Sequence, residues 1–182
     1  TKRKNQSTPH YITGVDEKQA RDLKRAAKKT FERKFDFRTF FKSKKFLVDK
    51  YEEDKGYMLD KLNEWGYRDA LLKKDSVVNY NEKSVDIYLD FFRGDKYYVR
   101  NISWVGNTVY NTEQLNRALG MKKGDLYNQT HLRKRLTEDE NSIGNQYYNQ
   151  GYVFYSLDPV ETEVTGDSID LEMRVSEARR PT

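Results

Sequence analysis

The chain repeats itself once, and that repeat constrains its fold more than any single element does. Asn63-Glu64-Trp65-Gly66-Tyr67 returns as Tyr148-Asn149-Gln150-Gly151-Tyr152, at an offset of 85 residues. Ser84-Val85-Asp86-Ile87-Tyr88-Leu89 returns as Ser168-Ile169-Asp170-Leu171-Glu172-Met173 at 84, and Leu23-x-x-Ala26 as Leu115-x-x-Ala118 at 92. The order is kept and the drift falls in one place, about seven extra residues near Phe31–Phe41 of the first copy. Two copies of one small fold are expected, over residues 1–96 and 97–182. Only Gly94-Asp95-Lys96 joins them, which predicts a stiff or narrowly hinged pair rather than beads on a string.

A unit of this size has little room for a core, so what fills it matters. Charged residues make up 35% of the chain and mean hydropathy is −1.04, yet 14 Tyr, 9 Phe and 2 Trp supply large buried areas from few positions. That aromatic content argues against disorder. Cysteine is absent, which excludes disulfides, thiolate catalysis and cysteine-held metals. No apolar run approaches the roughly 20 residues of a membrane-spanning helix, and no apolar signal segment is present. The chain opens on Thr1-Lys2-Arg3 and closes on Arg180-Pro181-Thr182, which reads as a piece of a longer protein.

Each copy reads strand, helix, helix, strand, strand. In the second, aromatic and β-branched Tyr98–Val105 forms a strand stopped by Gly106-Asn107. Asn111 or Thr112 caps a helix with Leu115, Ala118 and Leu119 on one face, and Gly120 ends it. Asn128 caps the next helix, carried by Leu132, Leu136, Ile143 and Tyr147 and stopped at Gly151. Val153–Thr165 follows as a strand, Gly166-Asp167 as a hairpin turn, and Ile169, Leu171, Met173 and Val175 alternate inward. The first copy has Ala20, Leu23 and Ala27 on one helix and Leu47, Tyr51, Met58, Leu62 and Trp65 on the next, closed by Gly66. Its hairpin pairs Leu71–Tyr80 with Val85–Phe92. Its opening strand is short: only His10-Tyr11-Ile12-Thr13-Gly14 stands where a full strand belongs, after a loosely paired Lys2–Ser7. The predicted class is α+β, two tandem β-α-α-β-β domains, each a three-stranded mixed sheet covered on one face by two helices.

Charge is uneven. Thr1–Tyr97 carries 24 Lys and Arg against 17 Asp and Glu, whereas the remainder carries 10 against 12. Lys18–Lys45 alone holds 12 basic and 3 acidic residues. There Lys24, Lys28 and Arg33 precede Phe37 and Phe40, a basic and aromatic surface suited to an acidic protein partner or an anionic membrane surface, or simply a solvated helix face. A small basic nucleic-acid-binding protein is the alternative reading. Against it stand the acidic second copy and the lack of the aromatic-basic strand motifs that RNA-binding sheets use.

Catalytic chemistry has little material. His10 and His131 are the only histidines, and neither lies near a Ser or carboxylate at a suggestive spacing. Glu52-Glu53-Asp54 and Glu138-Asp139-Glu140 sit on helices, where neighbours point in different directions and most such carboxylates face water. Tyr97-Tyr98 and Tyr147-Tyr148 each read as one core and one outward ring rather than stacking platforms. No Gly-rich phosphate loop is present. No enzyme, cofactor or metal site is expected.

Joint residues carry a family resemblance. Val99-x-x-Ile102-x-Trp104-x-Gly106-Asn107-x-x-Tyr110, Gly124-Asp125-Leu126-Tyr127-Asn128, Tyr148-x-x-Gly151-Tyr152 and Val175-x-Glu177, with Gly66-Tyr67-Arg68-Asp69-Ala70 in the first copy, resemble the POTRA domains of BamA-like outer-membrane β-barrel assembly factors. The resemblance spans roughly Ile12–Glu177 and departs in the short first strand and the Phe/Lys-rich insertion. It implies soluble domains on the periplasmic face of a bacterial outer membrane. It also implies neighbouring POTRA domains, a C-terminal membrane barrel, unfolded outer-membrane protein clients and accessory assembly lipoproteins as partners. Physics supplies a mode of capture. An edge strand presents unpaired backbone groups that an extended peptide joins by β-augmentation. The expected docking edges are Leu71, Lys73, Asp75 and Val77 in the first copy and Val153, Tyr155 and Leu157 in the second, with Lys73, Lys74, Asp75 and Asp158-Pro159 as guards against uncontrolled pairing.

Overall fold

The computed structural model describes residues 10–27, 43–81 and 84–177. It divides into two compact units, one of Thr1–Leu62 and Asp69–Gly94, the other of Asn63–Arg68 and Asp95–Thr182.

The first unit runs β1 (His10–Thr13), α1 (Glu17–Ala26), α2 (Ser43–Glu64), β2 (Leu71–Asn81) and β3 (Ser84–Phe92). Its sheet order is β1-β3-β2, with β1 parallel to β3 and β2 antiparallel. The second runs β4 (Tyr98–Val105), α3 (Thr112–Leu119), α4 (Gln129–Arg133) with a π-helical turn Lys134–Glu138, α5 (Ile143–Asn149), β5 (Ser156–Thr165) and β6 (Ser168–Ser176). Its order, β4-β6-β5, has the same senses. Each is the expected mixed sheet with the last strand central.

Period-two burial on the central strands builds both cores. Ile87, Leu89 and Phe91 on β3 are buried, as are Ile169, Leu171, Met173 and Val175 on β6. Helix faces meet them at helical spacing: Tyr51, Met58 and Leu62 in the first unit, Leu115, Leu119, Leu132, Leu136 and Tyr147 in the second. Each large buried apolar side chain contributes about 1.5–3 kcal/mol. Both first helices open with the same device. Asp16 and Asn111 accept the backbone N–H of Gln19 and Gln114, whose side chains accept the cap N–H in return.

One element departs from expectation. The second helix of the second unit is not continuous from Asn128 to Tyr148; it breaks at Asp139, whose backbone is extended (φ −68°, ψ 148°). Ser142, fully buried, restarts it by accepting the Asn145 N–H at 3.2 Å. The acidic Glu138–Glu140 run thus spans the end of the π-helical turn and the loop after it, fastened by Arg133 to Glu138 (2.6 Å) and Arg135 to Asp139 (3.2 Å). The short opening strand of the first copy is four residues long and pairs with Ile87–Asp90. Lys2–Ser7 lies outside the described residues.

Candidate functional site

In both sheets the middle strand of the chain order sits at an edge, β2 in one and β5 in the other. On β2, Leu71, Val77 and Val78 are about half exposed, at 47%, 49% and 50%. Lys73 falls in a register shift between Leu72 and Lys74 and reaches Asp90 at 3.6 Å. Such a bulge interrupts the regular row of donors and acceptors that a partner strand needs.

Asp75 does something other than guard. It is opposite Leu89, and its carboxylate accepts from the Tyr51 hydroxyl and the Lys55 ammonium, both at 2.9 Å. Those two hydrogen bonds, Lys55 foremost, hold the Asp75 carboxyl below its usual range, and burial pushes the Tyr51 phenol well up. Asp75 therefore fastens the edge strand to α2.

On the second sheet, only Leu157 of the three expected edge residues lies on the strand. β5 begins at Ser156, so Val153 and Tyr155 precede it. The reason is packing: the Tyr155 ring stacks on the fully buried Tyr147 ring (5.0 Å, 5° between planes), which commits the Tyr152–Tyr155 turn to the core. Leu157 is opposite Val175 and half-buried. Glu161, unremarked in the sequence, shares the inward side as the partner of Leu171. Within the second unit it accepts from the Tyr127 hydroxyl at 2.8 Å and pairs with Arg68 at 2.6 Å. A lone carboxylate at an inward position of an alternating strand was the available signal.

Of the basic and aromatic surface, Lys24 lies in the last turn of α1. Lys28, Arg33, Phe37 and Phe40 lie outside the described residues. His131 is a tie between helices: its ring Nε2 is 2.8 Å from the Leu119 carbonyl oxygen, to which it donates. Glu52 and Glu53 are exposed as expected, but Asp54 is buried, because it shares a helix face with Tyr51, Met58 and Leu62. Among the described residues no cluster of metal-ligating side chains is present. Tyr97 and Tyr98 are half-buried and exposed, and Tyr147 and Tyr148 buried and exposed, matching the expected split.

The polar centre of the second unit is Glu177, just past β6. It accepts from the Thr108 backbone N–H (2.9 Å), the Thr108 hydroxyl, the Val109 N–H (3.2 Å) and the Tyr147 hydroxyl (2.7 Å). Burial raises its pKa, but the donors outweigh this and hold the carboxyl below its ordinary value. Burial first, and Glu177 second, push the Tyr147 phenol far up. Glu177 thereby locks the Thr108–Val109 segment that leads into α3, and the side of α5, to the end of the central strand.

The family model described as "POTRA: Surface antigen variable number repeat" matches residues 97–178. The chain is also similar to the crystal structure of BamA POTRA3-5 from Haemophilus influenzae, at 18% identity and a TM-score of 0.67, over 96% of this chain and 67% of that one. BamA of Haemophilus ducreyi lacking POTRA domains 1-3 is similar at 19% identity and a TM-score of 0.62, over 96% of this chain and 30% of that one. No curated protein sequence matches the chain. Residues 97–178 match the POTRA family and the first unit repeats the same strand order, so the chain has the fold of two tandem POTRA-like domains.

Proposed function

We propose that this chain is a non-catalytic, periplasmic polypeptide-binding and scaffold fragment of an outer-membrane protein assembly machine. In this reading the domains 1–96 and 97–182 receive nascent outer-membrane proteins by β-augmentation and dock accessory lipoprotein subunits, beside further POTRA domains and a membrane barrel. Among the described residues no helix is long and apolar enough to cross a membrane. The observation that carries the reading is the strand order, which leaves β2 and β5 each with one unpaired side. Main-chain pairing is nearly blind to side-chain identity, which suits a receiver of many clients.

The Leu71–Val78 stretch of β2 is the preferred edge in this reading, because Leu71, Val77 and Val78 on it are half exposed and apolar while β5 carries Pro159, which has no N–H to lend. A photo-crosslinker at Val77 tests it. An unfolded outer-membrane protein is expected to crosslink there. A proline at a β2 residue whose N–H points away from β3 is expected to reduce that crosslinking several-fold with the domain still folded. Unchanged capture by the folded proline variant rejects the edge.

A further inference from the structure

The second unit has another edge, β4, and the chain itself shows how that edge is used. The Tyr127 N–H donates to the Tyr97 carbonyl (2.8 Å), the Val99 N–H to Asp125 (2.9 Å) and the Gly124 N–H to Val99 (2.7 Å). Tyr98 and Leu126 form an antiparallel bridge. Residues 124–127 are thus a stub of a fourth strand, laid antiparallel on the first part of β4. Beyond the stub the chain turns away at Lys122 and Lys123, and Asn101–Val105 is left without such a cover.

Beside the Asn101–Ile102 part of this open stretch lies a groove of about 670 Å³ between β4 and α3. Ile102 and Met121 line its apolar part; Asn116 and Arg117 line the helix side. Its polarity is one-sided. Glu113 is the sole carboxylate of the lining and is already within 3.6 Å of Arg117. Lys122 and Lys123 also line it, both exposed, and Lys123 lies close enough to Asp170 to help Arg100 hold that carboxyl below its ordinary range. Val105, at the far end of the strand, is 51% exposed.

We infer that the β4–α3 groove receives an extended segment of another polypeptide that alternates apolar and acidic residues, running antiparallel to β4 in continuation of the 124–127 stub. The inference rests on the reading that POTRA sheet edges take up extended chain, and adds to it an edge and a charge preference. Backbone pairing along Asn101–Val105 supplies affinity, apolar side chains enter toward Ile102 and Met121, and carboxylates meet Lys122, Lys123 and Arg117.

Two ten-residue synthetic peptides test this, one alternating Val with Glu and one Val with Lys, each titrated into the isotope-labelled 182-residue chain. The Val/Glu peptide is expected to shift the backbone amides of Asn101–Val105, to bind at least tenfold more tightly than the Val/Lys peptide, and to weaken with salt. The K122E/K123E double variant is expected to lose at least tenfold in affinity; K122A/K123A, the milder change, several-fold. The amide spectrum itself reports whether each variant is folded. Equal binding of the two peptides, or an unchanged affinity in both folded variants, overturns the inference. Shifts confined to Leu71–Asn81 or Ser156–Thr165 overturn it while the edge reading survives. No binding at any edge removes both. Concentration-dependent dimerisation through Asn101–Val105, seen by sedimentation, assigns the groove to a second copy and also overturns it.

Discussion

The two units solve one mechanical problem with opposite charges. At the end of the central strand a side chain holds down the chain where it enters the first helix. In the first unit that residue is Arg93, whose guanidinium donates to Gln19 (3.0 Å) and lies 3.7 Å from Asp16, the two members of the α1 capping box. In the second it is Glu177, which occupies the matching place in the repeat and gathers two backbone N–H groups and two hydroxyls. The joint requires complementarity, and either sign provides it. The environments differ, however: Arg93 is 37% exposed, whereas Glu177 reaches the hydroxyl of a fully buried tyrosine.

The outer sheet faces diverge too. Tyr11 pairs with Tyr88 in register and their rings stack at 4.7 Å, exposed to water together with Leu71 and Phe92. The corresponding register pair in the second sheet is Ser103 with Glu172, and the face there is charged: Arg100 grips Asp170 (2.8 and 2.7 Å) and Glu163 (2.7 Å), and Arg174 pairs with Glu172 (2.7 Å). Cores are shared between the copies; surfaces are where each was free to change.

The largest effect is expected where the copies agree. Gly14 (φ 82°) and Gly106 (φ 85°) follow the first strands, and a Cβ added to them would stand 1.6 Å from the Phe91 carbonyl oxygen and 2.1 Å from that of Val175. Backbone on both sides leaves no room, and the left-handed conformation adds strain. Gly106→Ala and Gly14→Ala should each destabilise their own unit by about 3 kcal/mol or more, read by amide hydrogen exchange, which reports each unit separately. If only one does, the joints are not equivalent.

Next comes the charge-inverted pair. Glu177→Ala strands two N–H groups and the Tyr147 hydroxyl and should cost about 2–3 kcal/mol, while Arg93→Ala, at an exposed ion pair, should cost about 1 kcal/mol or less. Acid sharpens the contrast. Because the folded-state pKa of Glu177 is depressed, its contribution is fully present above the ordinary carboxylate value of about 4.3 and is lost as pH falls through the lower folded value. Urea unfolding followed from about pH 6 to pH 3 should show that loss in the second unit, and Glu177→Gln should reduce it. An equal loss in the variant would assign it to other carboxylates. Smallest is the face: Tyr88→Glu, which imposes the second unit's residue on the first, should cost about 0.5–1 kcal/mol, seen as a small fall in urea midpoint.

Much of this architecture was legible because burial is periodic. The inward alternation from Ile169 to Val175, the helix stop at Gly120 and the repeat of Gly66-Tyr67 at Gly151-Tyr152 are local facts with local causes. The candidate site was less legible. The edge position of β2 follows from hairpin order, but Asp75 as a fastener, Tyr155 as core rather than edge, Glu161 as an inward acceptor and the 124–127 stub on β4 all depend on partners far away in sequence. What the amino-acid order determined by itself was the duplicated β-α-α-β-β plan, since turn chemistry and hydrophobic period act between near neighbours. What only the tertiary structure decided was which polar groups meet and which stretch of edge stays open, since a hydrogen bond needs its donor and acceptor within about 3 Å of each other, and only the folded chain sets that distance.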